Sequence, residues 1–381
     1  MKHANRSGRE PEQRRVLFVT YTMSQPLVGG VFFRALRLAL EFHRRGYEAV
    51  ICNSGPELSD PKVQEAQGKV RFVRLLRDAP GFNVLAAYRL FEALDPSTII
   101  FGEMPFELMK VFYQGAKLVR CPFVLLDQYY SDYLFRSSKD VDLVLLWGLK
   151  CPGQTNLDLP NHHYLMPPMV GEITPKSKLP VPARLHQLPW ITIIAYDSTV
   201  LERSISLLSG LPRQRVAIVT ASRDPVEAAR LMSQYGMASK EAAHLELTTD
   251  ADVHGLMNAS RVTLVSNGFL QIIDALALAC PVICISRGNA AITATNVAEC
   301  LRPYVSIDEP AERQRERVLE WLEASPFSPE LRSALQSERG SLRKCVDMIE
   351  RLDRARWTVP RIRREIQRAL FMLRHRQLAW L

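Results

Sequence analysis

The sequence predicts an α/β protein built from two doubly wound parallel-sheet domains that face each other across a cleft, with helices closing the chain. Three observations carry this expectation. Short β-branched or Leu-rich runs recur at strand length through both halves, helical patterns separate them, and one Pro-rich stretch divides the runs into two series. Near-continuous apolar runs are what strands buried on both faces require.

The first series has runs at 16–21, 49–52, 70–73, 98–101, 123–126 and 141–147. Between the first two, residues 31–45 interleave Phe32, Leu36, Leu38, Leu40 and Phe42 with Arg34, Arg37, Arg44 and Arg45, a helix with one buried side. Right-handed crossovers then give a doubly wound sheet. Residues 151–189 hold eight prolines and are expected to lack regular structure. The second series has strands near 191–195, 215–220, 244–247, 261–265 and 281–285, with a helix over 269–279. Beyond 303–307 the chain reads as helical. The expected organisation is a flexible start at 1–14, a first Rossmann-like domain at 15–166, a linker at 167–188, a second Rossmann-like domain at 189–325 and C-terminal helices at 326–381.

Composition bounds the function classes. The 381 residues are 47% apolar and 23% charged, with 18 Gly and 24 Pro, which excludes disorder and fibrous repeats and suits two cores without staples. The longest apolar stretch, 275–285, is far short of the roughly 20 residues that span a bilayer. The basic start precedes too short an apolar run for a signal peptide, so a cytoplasmic protein is expected. Seven cysteines without metal-ligand spacing read as free thiols, with Cys280 and Cys284 packing a core. The net charge is +9, but residues 351–381 carry nine arginines against Asp353 and Glu365, so the body is nearly neutral. Without a basic stripe on the body, nucleic acid is not an expected partner.

Several segments could carry chemistry. Gly29 and Gly30 open the first helix, where backbone amides could meet an anion, or where they form only a tight turn. This is not the G-x-G-x-x-G dinucleotide pattern, and no acid closes the second strand. A later strand delivers Ser266, Asn267 and Gly268 to the start of a helix that carries Gln271 and Asp274. Gly268 would admit a phosphate, and Asp274 could accept from vicinal hydroxyls or be a solvated helix acid. Asp127 and Glu103 each follow an apolar strand and are candidate bases or ordinary loop acids. Asp140-Val141-Asp142 and Asp250-Ala251-Asp252 match a short metal pattern, but the first enters a strand and the second suits a helix cap, so no metal is expected. His162 and His163 read as surface residues.

The stretch Gly29-Gly30-Val31-Phe32-Phe33-Arg34, continuing through Gly46-Tyr47-Glu48-Ala49-Val50, resembles the opening of the two-Rossmann glycosyltransferases called GT-B. The resemblance is to the branch of peptidoglycan N-acetylglucosaminyltransferases and related nucleotide-sugar hydrolases. Residues 266–281 resemble that branch's donor motif, with a glycine six residues before an acid, and 123–128 resembles the strand whose end faces the acceptor. The resemblance implies a nucleotide-sugar cosubstrate and no further cofactor. It makes Asp274 the acid that holds the donor ribose. Ser266, Asn267, Gly268, Gln271, Ser198, Thr199 and Arg287 would lie on the donor side, and Gly29, Gly30, Arg34 and Gln128 on the acceptor side. Asp127 or Glu103 would be the base of a metal-independent, inverting transfer.

Three departures stand out. Val31 occupies the position where the branch carries a histidine. Ala195-Tyr196-Asp197-Ser198-Thr199 replaces a glycine pair at the donor phosphates, with Ser198 and Thr199 left to cap the next helix. Asp274 is one methylene shorter than the usual Glu. These keep open two alternatives: a non-catalytic binding protein, and a nucleotide-sugar hydrolase or epimerase. Finally, Val359, Ile362, Ile366, Leu370, Leu373 and Trp380 form one apolar stripe among arginines, within a segment that includes Trp357 and Phe371. Such a helix either packs back across the domains with its arginines in water or makes a peripheral contact with an anionic membrane through 357–381.

Overall fold

The computed structural model describes residues 14–20, 30–53, 61–75, 81–102, 106–128, 140–147, 163–166, 173–211, 216–237, 241–247, 251–265, 269–285, 305–306, 310–330, 332–333, 341–354 and 359–378. It contains two all-parallel sheets. The first has seven strands in the order β3-β2-β1-β4-β5-β6-β7, and the second six in the order β10-β9-β8-β11-β12-β13. The strands of the first are β1 (Arg15–Thr20), β2 (Glu48–Asn53), β3 (Val70–Arg74), β4 (Thr98–Phe101), β5 (Phe123–Gln128), β6 (Leu143–Trp147) and β7 (His163–Met166). Those of the second are β8 (Trp190–Ala195), β9 (Ala217–Ser222), β10 (Ala242–Glu246), β11 (Ser260–Val265), β12 (Val282–Cys284) and β13 (Val305–Ser306).

Alternation along each strand builds a core on both faces of each sheet. In β1, Val16 and Phe18 enter one apolar cluster and Leu17 and Val19 the other. In β8, Ile191, Ile193 and Ala195 enter one and Trp190 and Ile194 the other. Helix α1 (Gly30–Arg44) covers the first of these faces with Phe32, Leu38 and Phe42 and stops at Gly46, whose φ of 86° suits a residue without Cβ. The chain later returns to the same face, where α10 (Ser341–Arg354) adds Cys345, Val346 and Ile349. Arg45 joins the two helices by ion pairs to Asp347 at 2.6 Å and Glu350 at 3.0 Å. Cys52, Cys121, Cys280, Cys284 and Cys345 are buried thiols, and burial pushes those of Cys52, Cys121 and Cys280 up to about 12.

The Pro-rich stretch is more regular than its composition suggests. Residues 163–166 form β7, an edge strand beside β6, and 3₁₀ turns occupy Lys176–Lys178 and Ala183–Leu185. The four residues of β7 include no proline, so proline spacing rather than proline count sets the limit. Leu179, Val181 and Leu185 are buried in the core of the second sheet.

The larger surprise is α11 (Val359–Leu378). It does not bury its apolar stripe with arginines in water. Arg364 is buried and donates to the Asp140 carbonyl at 2.6 Å, the Cys121 carbonyl at 2.9 Å and Asp142 Oδ2 at 2.7 Å. Arg368 donates to Tyr88 Oη at 3.0 Å. Val359, Ile362, Ile366, Leu370 and Leu373 are instead 48–71% exposed. Trp357 and Trp380 lie outside the described residues.

Candidate active site where the two sheets meet

In a doubly wound sheet the ligand crevice opens beyond the carboxyl ends of the two strands at which strand order reverses. Here these pairs are β1 and β4 in the first sheet and β8 and β11 in the second. In sequence, Gly29 and Gly30 follow β1, Glu103 follows β4, Ser198 and Thr199 follow β8, and Ser266 to Gly268 follow β11. Gly29, Glu103, Ser266, Asn267, Gly268 and Arg287 lie outside the described residues. Gly30 is the first residue of α1. Asp127 and Gln128 end β5, beside β4, paired in register with Leu146 and Trp147 of β6.

At the second domain, α5 (Ser198–Ser209) is capped by Asp197, whose Oδ1 accepts from the Val200 amide at 2.8 Å. Ser198 and Thr199 are therefore the exposed first residues of the helix and not its cap. The extended backbone of Asp197 lets its carboxylate fold back on the helix amides, which turns that charge into the helix terminus. Close by, the Arg223 guanidinium sits 5.6 Å from the centre of the Tyr196 ring.

Two short helices carry the centre of the site. In α8 (Phe269–Ala277), Ile272, Ile273, Ala275 and Leu276 are buried, whereas Gln271 and Asp274 are half-buried one turn apart. In α7 (Val253–Ala259), Asp252 is the cap, accepting from the Gly255 amide at 3.0 Å, and Thr174 donates to its second oxygen. A Cβ at Gly255 would meet Leu179 at 2.8 Å and the Asp252 carboxyl at 3.1 Å, so this turn is closed against the segment from the linker.

The cap sets His254 facing Asp274, with Nε2 2.9 Å from Oδ2. From the other domain Arg37 of α1 brings Nη2 to 3.1 Å from His254 Nδ1. A guanidinium only donates, so Nδ1 must accept, and the neutral ring then carries its proton on Nε2 and donates it to Asp274. Arg37, His254 and Asp274 thus form one directed chain across the two domains. All three leave carboxyl ends of their sheets, since α1 and α8 follow β1 and β11 and α7 follows β10. Those edges therefore face each other.

Burial pushes the Asp274 carboxyl up, but the electrostatic attraction and hydrogen bond of His254, and then the charges of Arg34 and Arg37, outweigh that and hold the group below its ordinary value. Burial lowers Arg37, against the opposing charges of Asp274 and Asp252, but a guanidinium remains a cation. The site therefore holds an ionised carboxylate whose Oδ2 is taken by His254 and whose Oδ1 has no hydrogen bond among the described residues, beside two arginines from the facing domain. Such a set can accept from hydroxyls and neutralise an adjacent anion.

Arg34 and Asp274 were legible as candidates. Arg37 and His254 were not, although Arg37 repeats Arg34 one turn on. Asp142, from the first of the two short metal patterns, is an ion-pair partner of Arg364.

No protein-family profile and no curated protein sequence matches the chain. Solved structures do. The glycosyltransferase of kitacinnamycin superposes with a TM-score of 0.59 at 14% identity, covering 90% of this chain and 100% of that one. MurG of Acinetobacter baumannii gives 0.59 at 13% identity over 89% and 99%. A putative UDP-N-acetylglucosamine 2-epimerase from Listeria monocytogenes gives 0.57 at 9% over 89% and 96%. The fold is GT-B. At such identities the likeness extends to architecture, and the GT-B frame accounts for the two opposed carboxyl edges.

Proposed function

We propose that this GT-B chain transfers a sugar from a nucleotide-sugar donor to an acceptor hydroxyl. The observation that carries the reading is the place of Asp274: ionised, oriented by His254, half-buried, and turned to the facing domain rather than sealed in a core or left in bulk solvent. Similarity to a glycosyltransferase, to MurG and to an epimerase supports it at the level of fold.

In this reading Asp274 Oδ1 accepts the donor's ribose hydroxyls. The α8 N-terminus with Ser266, Asn267 and Gly268 meets the diphosphate, and Arg34 adds positive charge from α1. The acceptor oxygen attacks the anomeric carbon as the bond to the nucleoside diphosphate breaks. Asp127 or Glu103 takes the acceptor proton, the nucleoside diphosphate leaves with the electron pair, and the anomeric centre inverts. Val31 lies within α1 where the resembling branch carries histidine, and this favours a second reading, a binding protein that keeps the nucleotide site without catalysis.

Calorimetry with UDP, dTDP and GDP tests the reading. One of them should bind, and Asp274→Asn should weaken it by roughly tenfold or more. No binding to any nucleotide would overturn both readings. Binding without turnover of any nucleotide-sugar selects the second, and slow hydrolysis without acceptor selects a hydrolase or epimerase.

A further inference from the structure

The outward face of α11 is the feature the site does not use. Val359, Ile362, Ile366, Leu370 and Leu373 follow one another at three- and four-residue steps, so they share one stripe along a helix of 20 residues. Every one is at least 48% exposed. Successive residues turn by about 100°, which sets Arg364 roughly opposite the middle of the stripe. That opposite face is fixed by Arg364 on Asp142 of the first domain and by Arg361 on the Leu352 carbonyl of α10 at 2.8 Å. The helix is therefore held by its charges and offers its aliphatic side, the reverse of an ordinary surface helix.

We propose that this face docks on an anionic phospholipid surface. Charge complementarity selects that occupant. Exposed Arg363 and Arg374 lie along the edge of the stripe, and no acidic residue stands among the five aliphatic residues on that face. A second copy would bring the same arginines against their counterparts, whereas a bilayer of acidic lipid supplies the counter-charge along with an apolar layer for the stripe. No helix among the described residues is long and apolar enough to cross a membrane, so the contact is peripheral. The proposal is independent of the nucleotide reading, because the docking face and Asp274 share no residue.

Co-sedimentation of the full chain with vesicles tests it, using phosphatidylcholine alone and phosphatidylcholine mixed with phosphatidylglycerol. The protein should pellet with the mixed vesicles and be released by high salt. Ile366→Glu with Leu370→Glu should abolish pelleting while circular dichroism stays unchanged, because both side chains already face solvent. Arg363→Gln with Arg374→Gln should weaken it by roughly thirtyfold. Failure of the intact chain to bind either vesicle, or undiminished binding by the glutamate variant, would overturn the proposal. So would sedimentation velocity showing a dimer that the glutamate variant dissolves, since the stripe would then belong to a second copy.

Discussion

Helices α1 and α11 are both amphipathic, both carry arginines and both lean on the first domain, yet they bury opposite faces. Helix α1 turns Phe32, Leu38 and Phe42 into the core and reaches outward with Arg37 to His254. Helix α11 turns Arg364 inward and leaves its aliphatic residues outside. The difference lies in what each helix meets. Helix α1 covers an apolar sheet face, whereas α11 crosses the end where β5 and β6 begin, and there the Asp142 side chain is fully buried and already accepts from the Phe123 amide at 2.8 Å. A buried carboxylate demands a cation, and that demand outranks the hydrophobic pull on a single helix face.

Breaking that demand should give the largest effect. Arg364→Ala leaves the Asp142 charge buried without its partner and should cost about 3–5 kcal/mol, read from the urea midpoint. A loss below about 1 kcal/mol would mean that water reaches Asp142 and that the ion pair does not orient α11. The counterpart in α1 is smaller. Arg37→Ala removes a donor to His254 and the stem that carries it across the domain boundary, and should cost about 1–2 kcal/mol. Its second readout is nucleotide affinity, which falls if the chain from Arg37 to Asp274 orients the carboxylate.

Acidification separates the two contacts with the sign fixed by the site. The Asp274 carboxyl lies below its ordinary value when folded. Its stabilisation is therefore fully present above the unfolded carboxylate value of about 3.9 and is lost as pH falls through the folded value. The denaturation midpoint should lose this contribution only below about pH 4, and Asp274→Asn should remove that part of the acid slope. A variant with the same acid slope as the parent would place the titration elsewhere.

The two regions also differ in how much of them the sequence exposes. The sheets are legible because strands buried on both faces write unbroken apolar runs, and 98–101 is read to the residue. Asp274 is legible because its spacing from Gly268 is local. His254 is not, because its partners Asp274 and Arg37 lie 20 and 217 residues away and neither spacing has a period. For α11 the stripe is legible but its direction is not, since periodicity states that a helix has two faces and not which one is inside. The decisive residues, Asp140 and Asp142, sit more than 200 positions upstream, in a pattern that spacing alone assigns to metals.

The smallest expected effect is the sharpest check on the comparison. Ile362→Ser and Leu373→Ser should each change stability by no more than about 0.5 kcal/mol, because residues 48% and 60% exposed surrender little buried area. Leu38→Ser in α1, a residue with no exposed surface, should cost several kcal/mol by the same measure, since it opens a cavity and buries a hydroxyl. Equal costs at the two helices would mean that the α11 stripe is covered in solution. A stability cost that rises with protein concentration would identify that cover as a second copy.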